Sequence, residues 1–448
     1  MKNDVRHLSQ GPIGHVRYRI LSLIFFATTI NYLDRQVLGL LKPILGRDLH
    51  WTEIDYSHIV MAFSISYALG LSFAGGIIDR LGTKIGYSLS LIIWSLASMA
   101  HALASSTLGF GFCRSLLGLG ESGNFPAAIK SVTEWFPKKE RALATGIFNS
   151  GTNIGAMLGP ILIPWILGLY GWRAAFFLTG VLGFIWWIFW WRIYQIPGKK
   201  RDLSEEEFRF IHQDDSESPS YHLGMEKEES RSLGTKSMVL LKTRAIWGFI
   251  LGKFLTDPIW YFFLFWLPSY FSSTFKLDFT KPSIPLVIVF SATSLGSIGG
   301  GYLSSALIQR GWEVYKARRF SMFLFAILVM PIFFAQYTHQ LWLVVLLLSL
   351  AASAHQAWSA NIYTTASDIF PKESISTVIS LGAMAGSIGG IFFPIFIGEI
   401  LESAKKSGNI TTGYNFLFSI CSIAYIIAWV LMQVLNSRSR KMNKVEIN

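Results

Sequence analysis

The sequence predicts an all-α polytopic membrane protein of twelve transmembrane helices in two pseudo-symmetric six-helix bundles. Three observations lead there. Hydrophobic residues make up 52% of the chain and charged residues only 15%, where a soluble domain carries roughly a quarter charged. The apolar residues gather in blocks of about 20 or more, the helix length that crosses a hydrocarbon core of ~30 Å. The segment "TEWFPKK" at 133–139 recurs as "SDIFPKE" at 367–373, and at that same offset Ile154-Gly155 meets Ile388-Gly389 and Pro160 meets Pro394.

The first six blocks fall near 17–40, 54–77, 83–104, 107–132, 141–168 and 174–194, and the second six near 245–272, 283–308, 317–337, 340–366, 374–400 and 412–436. Backbone polar groups in lipid must be satisfied within a helix or a closed barrel, and blocks of this length suit helices. A polar stretch, Pro197 to Lys242, parts the two sets. The expected domains are therefore a bundle over 1–196, a cytoplasmic linker over 197–243 and a second bundle over 244–448. Within the linker, Ser204 and Glu207 have the spacing of a capping box for a short helix; the rest reads as solvated chain. Repeats in parallel orientation imply a pseudo-two-fold axis along the membrane normal, with a ligand bound near midplane between the halves.

A net charge of +12 raises the question of nucleic acid. The placement of the charge answers it. Counted from an inside N-terminus, the opposite loops hold seven cations of the 39 (Lys42, Arg47, Arg173, Lys276, Lys281, Lys405 and Lys406), and nearly all the others lie on the N-terminal side. This is the positive-inside pattern, so both termini are expected in the cytoplasm and no nucleic-acid partner is expected. The start, "MKNDVRHLSQGPIGHVRYR", lacks the short apolar core of a cleavable leader. Cys113 and Cys421 both lie within blocks, without metal-site spacing, and read as packing residues. No metal and no cofactor is expected.

The blocks hold charges that lipid does not tolerate cheaply. A charged side chain at a bilayer centre costs on the order of 2.5–3.5 kcal/mol on insertion scales. Block one reads "FFATTINYLDRQVLGLL", with Asp34 beside Arg35. Block four, "GFGFCRSLLGLGESGNFPAAIK", holds Arg114 and Glu121, about two helical turns or ~10 Å apart on one face. Block seven holds Lys253 and Asp257 at i,i+4, which also fits a plain salt bridge, followed by Pro258, which frees a carbonyl one turn back. Block ten carries His355, Trp358 and Asn361 on one stripe beside Gln356; His355 alone equally fits a hydrogen-bonded packing role. Blocks one, four, seven and ten open successive three-helix units, the positions expected to line a central cavity, and intramembrane ionisable groups mark substrate or proton pathways.

The expected ligand follows from that chemistry. Arg35, Arg114 and Lys253 are cations, and an arginine fork suits a carboxylate. Tyr32, Tyr67, Asn149, Asn153, His355, Gln356, Trp358 and Asn361 offer hydroxyl, amide, imidazole and indole groups for a polyhydroxylated molecule. Asp34, Glu121 and Asp257 are acids, and desolvation disfavours their charged forms. A small organic anion and a proton (with Na⁺ as the alternative ion) would enter together and neutralise the cavity while the carrier reorients.

The turn after block two, "GGIIDRLGTKIGY", resembles the signature of the major facilitator superfamily through Gly75, Asp79, Arg80, Gly82 and Lys84. There Asp79 and Arg80 would form a conformational latch with neighbouring helix ends. The second half's "GGGYLSSALIQRGW" lacks the acid, so the latch would be one-sided. "NYLDRQ", the Arg114–Glu121 spacing followed by "FPAAIKSVTEWFP", "GKFLTDPIW" and "AHQAWSANIYTTASDIFPK" resemble the anion:cation symporter branch, and within it bacterial hexuronate transporters. The resemblance implies proton coupling at Asp34 and Glu121, carboxylate binding at Arg35 and Arg114, uptake of glucuronate or galacturonate, a multi-pass inner-membrane location and a monomer. A glutamine that galactonate carriers use in "SGQ" is Thr152 here, which points away from galactonate. Other organic anions, an aldonate or an aromatic carboxylate, stay open.

Other function classes fit less well. "GTNIGAMLGP" approaches the glycine motif of proton-coupled drug antiporters, but Ile163-Pro164 replaces its closing glycine pair, and glycines every fourth residue also serve helix packing. A membrane sensor would need a signalling domain that the linker is too short to hold. An enzyme would need a nucleophile with a base or a metal-ligand spacing, and neither is evident.

Overall fold

The computed structural model describes residues 14–213, 241–278, 280–370 and 375–445. The leader reading over 1–13, most of the polar linker and the Pro371–Glu373 part of the repeat lie outside the described residues. Within them every regular element is a helix.

Helix α1 (Val16–Asp48) carries the first block and α2 (Glu53–Leu81) the second. A complete capping box starts α2: Thr52 Oγ1 accepts from the Asp55 amide at 3.0 Å, and the Thr52 amide donates to Asp55 at 2.9 Å. Gly82, at φ +78°, makes the tight turn into α3 (Thr83–Ala100), a backbone conformation that favours glycine. The fourth block is not one helix. It divides into α4 (Thr107–Glu121) and α5 (Asn124–Trp135) at Ser122-Gly123, leaving Glu121 at the end of α4. The long α6 (Lys138–Ile193) turns at Gly171, φ +79°, where blocks five and six were expected to separate.

In the linker, α7 (Glu205–Ile211) forms, but not as the capping box expected. Ser204 Oγ does accept from the Glu207 amide, at 3.2 Å. The Glu207 carboxylate turns away, taking the Val16 and Arg17 amides at 3.3 and 3.2 Å and the Arg17 guanidinium at 3.2 Å. An acid at a helix N-terminus satisfies orphan amides and the helix dipole, and this gain outweighs a bond to its own cap. Leu203 and Ile211 are buried with it, so this part of the linker is docked rather than solvated.

The second half comprises α8 (Arg244–Phe275), α9 (Ile284–Gln309), α10 (Val314–Val329) with a 3-10 extension to Tyr337, α11 (Leu341–Ile369), α12 (Ile375–Lys406) and α13 (Ile410–Val445). Among the described residues nine helices are long and apolar enough to cross a membrane, the 50-residue Ala144–Ile193 counted as one of them. α1 is not in that set, with Asp34, Arg35 and Lys42 along it, and neither is the 15-residue α4.

The internal repeat reappears as packing. A Cβ on Gly155 of α6 would collide with the Thr29 carbonyl and the Tyr32 side chain of α1; one on Gly389 of α12 would meet the Phe254 carbonyl and Pro258 of α8. Small residues let these backbones approach. The glycine pattern of "GTNIGAMLGP" is thus occupied in seating α6 on α1. Cys113 and Cys421 are buried free thiols.

Named contacts between the halves gather toward the C-terminal end of α1. Gly39 lies against the Leu264 carbonyl and Phe265, and Tyr56 Oη donates to the Phe265 carbonyl at 2.8 Å. The Glu53 amide donates to Glu402 at 3.0 Å, and the Ser283 amide to the Pro160 carbonyl at 3.0 Å. One apolar core runs from the second half into that end of α1 and α2, while a separate core packs the Arg17 end of the first half.

Candidate functional site

The middle of α1 presents Arg35 to α2 and α4. Its Nε and Nη2 both donate to one oxygen of Glu121, at 2.9 and 2.6 Å. The rings of Tyr32, Phe63 and Tyr67 lie 4.8, 4.9 and 4.9 Å from the guanidinium carbon, a cation–π cage. The break after Glu121 explains why this acid reaches α1. The other Glu121 oxygen, Oε1, has no hydrogen-bond partner. Arg114 does not pair with Glu121, as its spacing implied. Its Nη2 donates to the Arg35 carbonyl at 3.4 Å, while Nε and Nη1 are buried without partners. Buried unpaired N–H groups on a cation are costly, and an anion relieves that cost.

Across from this pair, α8 and α11 build a second one. Lys253 Nζ donates to Asp257 at 2.7 Å and to Tyr363 Oη at 2.8 Å. Tyr261, one turn beyond Asp257, lies within electrostatic reach of Arg35, Tyr32 and Tyr67 on one side and of Asp257 on the other. Tyr363 stands likewise near Tyr32. The ions themselves are buried, Arg35 at 3% exposure and Lys253 at 2%. Tyr32, Tyr67, Tyr261, Tyr363 and Asp257 are only half-buried. The half-buried side chains beside the two ion pairs are thus four phenols and one carboxylate, and the phenols are suited to stack on a sugar ring and to exchange hydrogen bonds with its hydroxyls.

The other sequence candidates are placed elsewhere. Asp34 neighbours Arg35 in the chain but faces away from it, because successive helical residues point ~100° apart. Its Oδ1 accepts from Ser98 Oγ at 2.9 Å, Ser98 Oγ lies 3.2 Å from Thr179 Oγ1, and Asp34 Oδ2 has no partner. It occupies a hydroxyl-lined niche between α1, α3 and α6. His355 stacks on Trp260 at 5.3 Å and bonds Tyr425 Oη through Nδ1 at 2.5 Å. Trp358 meets Tyr425 edge-on. Asn361 Nδ2 donates to the Gly300 and Ala357 carbonyls, both at 2.9 Å. These three tie α11 to α8, α9 and α13 instead of joining the Arg35 cluster. Gln356 is half-buried and Asn149 exposed. Asn153 Oδ1 accepts from Thr293 at 3.3 Å, linking α6 to α9.

At the turn after α2, Asp79 pairs with Lys130 of α5 at 2.6 Å, and Arg80 is exposed. That contact stays within the first half. Sequence reasoning missed Tyr261 and Tyr363. Tyr261 continues the four-residue step from Lys253 through Asp257 and was readable; Tyr363 carries no spacing signal and is picked out only by its contact with Lys253. Among the described residues no group of three or more His, Cys, Asp or Glu side chains is placed to hold a metal ion.

Residues 24–394 match the Major Facilitator Superfamily. The hexuronate transporter of Escherichia coli (strain K12) is 30% identical over 430 residues, 94% of this chain and 95% of that protein. The galacturonate transporter of Dickeya chrysanthemi is 32% identical over 305 residues, 67% and 85% of the two chains. A solved bacterial homolog to the human lysosomal transporter Spinster superposes with a TM-score of 0.75 at 19% identity, over 94% of this chain and 97% of that one. The chain belongs to the Major Facilitator Superfamily and is a multi-pass membrane transporter, not an enzyme.

Proposed function

We propose that this transporter imports a sugar-acid anion, a hexuronate such as glucuronate or galacturonate, by proton symport through alternating access. On this reading α6 crosses the bilayer twice, once on each side of Gly171, and α1 and the α4–α5 pair also cross, which brings the count to twelve. Two six-helix bundles then flank a cytoplasmic linker in a bacterial inner membrane, with both termini inside. The observation that carries the proposal is the Arg35–Glu121 pair inside its aromatic cage, with the unpaired N–H groups of Arg114 beside it. The curated relatives, named for hexuronate and galacturonate, point to the same chemistry.

The chemistry runs through competition for one guanidinium. A substrate carboxylate that takes Arg35 in a two-pronged pair displaces Glu121. Glu121 is then a buried carboxylate without its cation, the condition under which a carboxyl group takes up a proton. Substrate and proton thus load together. When the bundles rock and the sugar acid leaves, Glu121 returns to Arg35 and its proton is expelled. Arg114 supplies further donors to the bound carboxylate. Tyr32, Tyr67, Tyr261 and Tyr363 embrace the ring from both halves, so that closure completes the site. Asp34, in its Ser98–Thr179 niche, is a second proton carrier outside the direct substrate contact.

The test is uptake of labelled glucuronate into proteoliposomes under an imposed pH gradient or an imposed sodium gradient. Accumulation driven by the pH gradient is expected; accumulation that follows sodium alone would overturn proton coupling. A second substrate reading draws on Lys253. An aldarate, with a carboxylate at each end, would meet Arg35 and Arg114 in one half and Lys253 in the other. Lys253→Met separates the two. A charge-assisted hydrogen bond contributes about 1.5–3 kcal/mol, so an aldarate substrate would bind roughly 10- to 100-fold more weakly, while a uronate would change only a few-fold.

A further inference from the structure

A groove of about 600 Å³ lies outside the transport site, between the α2–α3 turn and the end of α6. α2 and α3 are both candidate spans, as is the stretch ending at Ile193, so the groove sits at the level where hydrocarbon gives way to headgroups. Lys84, Lys199 and Arg201 line it. None of the three has an acid within ion-pair distance among the described residues. The acids nearby are engaged: Asp79 with Lys130, Asp202 with Lys200, and Glu134 with Thr83 and Tyr194. Lys84 instead rests 5.0 Å from the Trp191 ring. Leu81, Ile85, Trp191 and Ile196 are exposed on the same groove.

We propose that this groove binds the headgroup of an anionic phospholipid, with its acyl chains lying along Ile85, Trp191 and Ile196. Three cations that converge at one site with no ion-pair partner among the described residues call for an anion, and basic pockets between transmembrane helices hold anionic headgroups. The exposed apolar rim distinguishes a lipid from free phosphate, since an inorganic ion leaves that surface uncovered. A choline headgroup brings its own cation toward three others and is disfavoured. Trp191 is placed as interfacial tryptophans are, ring in the boundary region. A bound lipid would brace the α2–α3 turn against the end of α6 within the first half.

The full-length protein, purified in neutral detergent, is titrated with dioleoyl phosphatidylglycerol, dioleoyl phosphatidylcholine or inorganic phosphate, reading thermal shift and lipid retained by native mass spectrometry. Phosphatidylglycerol should raise the unfolding temperature and be retained one per chain, while phosphatidylcholine and phosphate do neither. The triple variant Lys84→Ser, Lys199→Ser, Arg201→Ser should bind phosphatidylglycerol on the order of 100-fold more weakly, from about fivefold per surface cation. A charge-matched control, Arg310→Ser, Lys316→Ser, Arg319→Ser in the second half, should bind as wild type. The exchange Lys84→Arg, Lys199→Arg, Arg201→Lys should retain binding, so the comparison survives if the serine triple folds poorly. Equal losses in both serine triples, equal effects of the two lipids, or a response to phosphate alone would each overturn the proposal. So would wild-type protein that retains no phosphatidylglycerol.

Discussion

Glu121→Gln probes the step on which the proposed proton coupling depends. Arg35 places two donors on one Glu121 oxygen, at 2.9 and 2.6 Å, and both residues are buried. Glutamine keeps an acceptor in that position but removes the negative charge. Deleting one partner of a buried pair costs about 3–5 kcal/mol, and a neutral acceptor retains part of that through hydrogen bonds to a charged donor. A loss of about 2 kcal/mol in stability is therefore expected. Arg35, no longer held by an anion, becomes freer to take a substrate carboxylate, and affinity should rise about tenfold. The assay uses one set of proteoliposomes in two modes. In exchange, with labelled glucuronate against unlabelled, the variant should work within about threefold of wild type. Under a pH gradient it should only equilibrate, because on the proposed mechanism the carboxyl that takes up a proton when substrate displaces it from Arg35 is gone, and Asp34 makes no contact with substrate to replace it. Accumulation above equilibrium at the wild-type level would refute the role of Glu121. A fall in glucuronate affinity would refute the competition between Glu121 and substrate for Arg35.

Substitutions at neighbouring residues have distinct expected outcomes. Arg114→Ala should abolish the thermal shift produced by glucuronate while costing the unliganded protein little, because its Nε and Nη1 make no bond to lose; unchanged binding would remove Arg114 from the site. Glu207→Ala removes the acceptor of two helix-terminal amides and one acceptor of the Arg17 guanidinium, which keeps Glu140 and the Gly14 carbonyl; the buried donors left unpaired are expected to cost about 2–3 kcal/mol, read as a lowered unfolding temperature. His355→Phe keeps the stacking on Trp260 and loses one bond to Tyr425. It should lower stability by about 1 kcal/mol and leave the apparent KM for glucuronate unchanged; a large rise in KM would return His355 to the substrate site. Gly155→Val should cost about 1–3 kcal/mol through overpacking against Thr29 and Tyr32, visible as reduced folded yield and thermal stability.

The helical membrane architecture was legible in the sequence because bilayer thickness fixes a length that composition alone reveals. The repeat was legible for a related reason: glycines at matching positions meet matching backbones, Gly155 on α1 and Gly389 on α8. The break within the fourth block was not legible. Gly118, Gly120 and Gly123 permit a bend as readily as a straight close-packed helix, and only neighbours choose. The Glu207 cap was likewise hidden, since its preferred amides lie about 190 residues away on α1.

What the sequence determined by itself is that charged residues on blocks one, four and seven cannot face lipid, so they must find partners or a ligand inside. That conclusion needs only the cost of a charge in hydrocarbon. What the tertiary structure decided is who partners whom. Helical phase turns Asp34 toward Ser98 and Arg35 toward Glu121, though the two are adjacent in the chain. Packing around Trp260 and Tyr425 occupies His355, and Tyr363 emerges as the partner of Lys253. Pairing is a property of distance and direction among side chains far apart in sequence, and spacing along one helix contains neither.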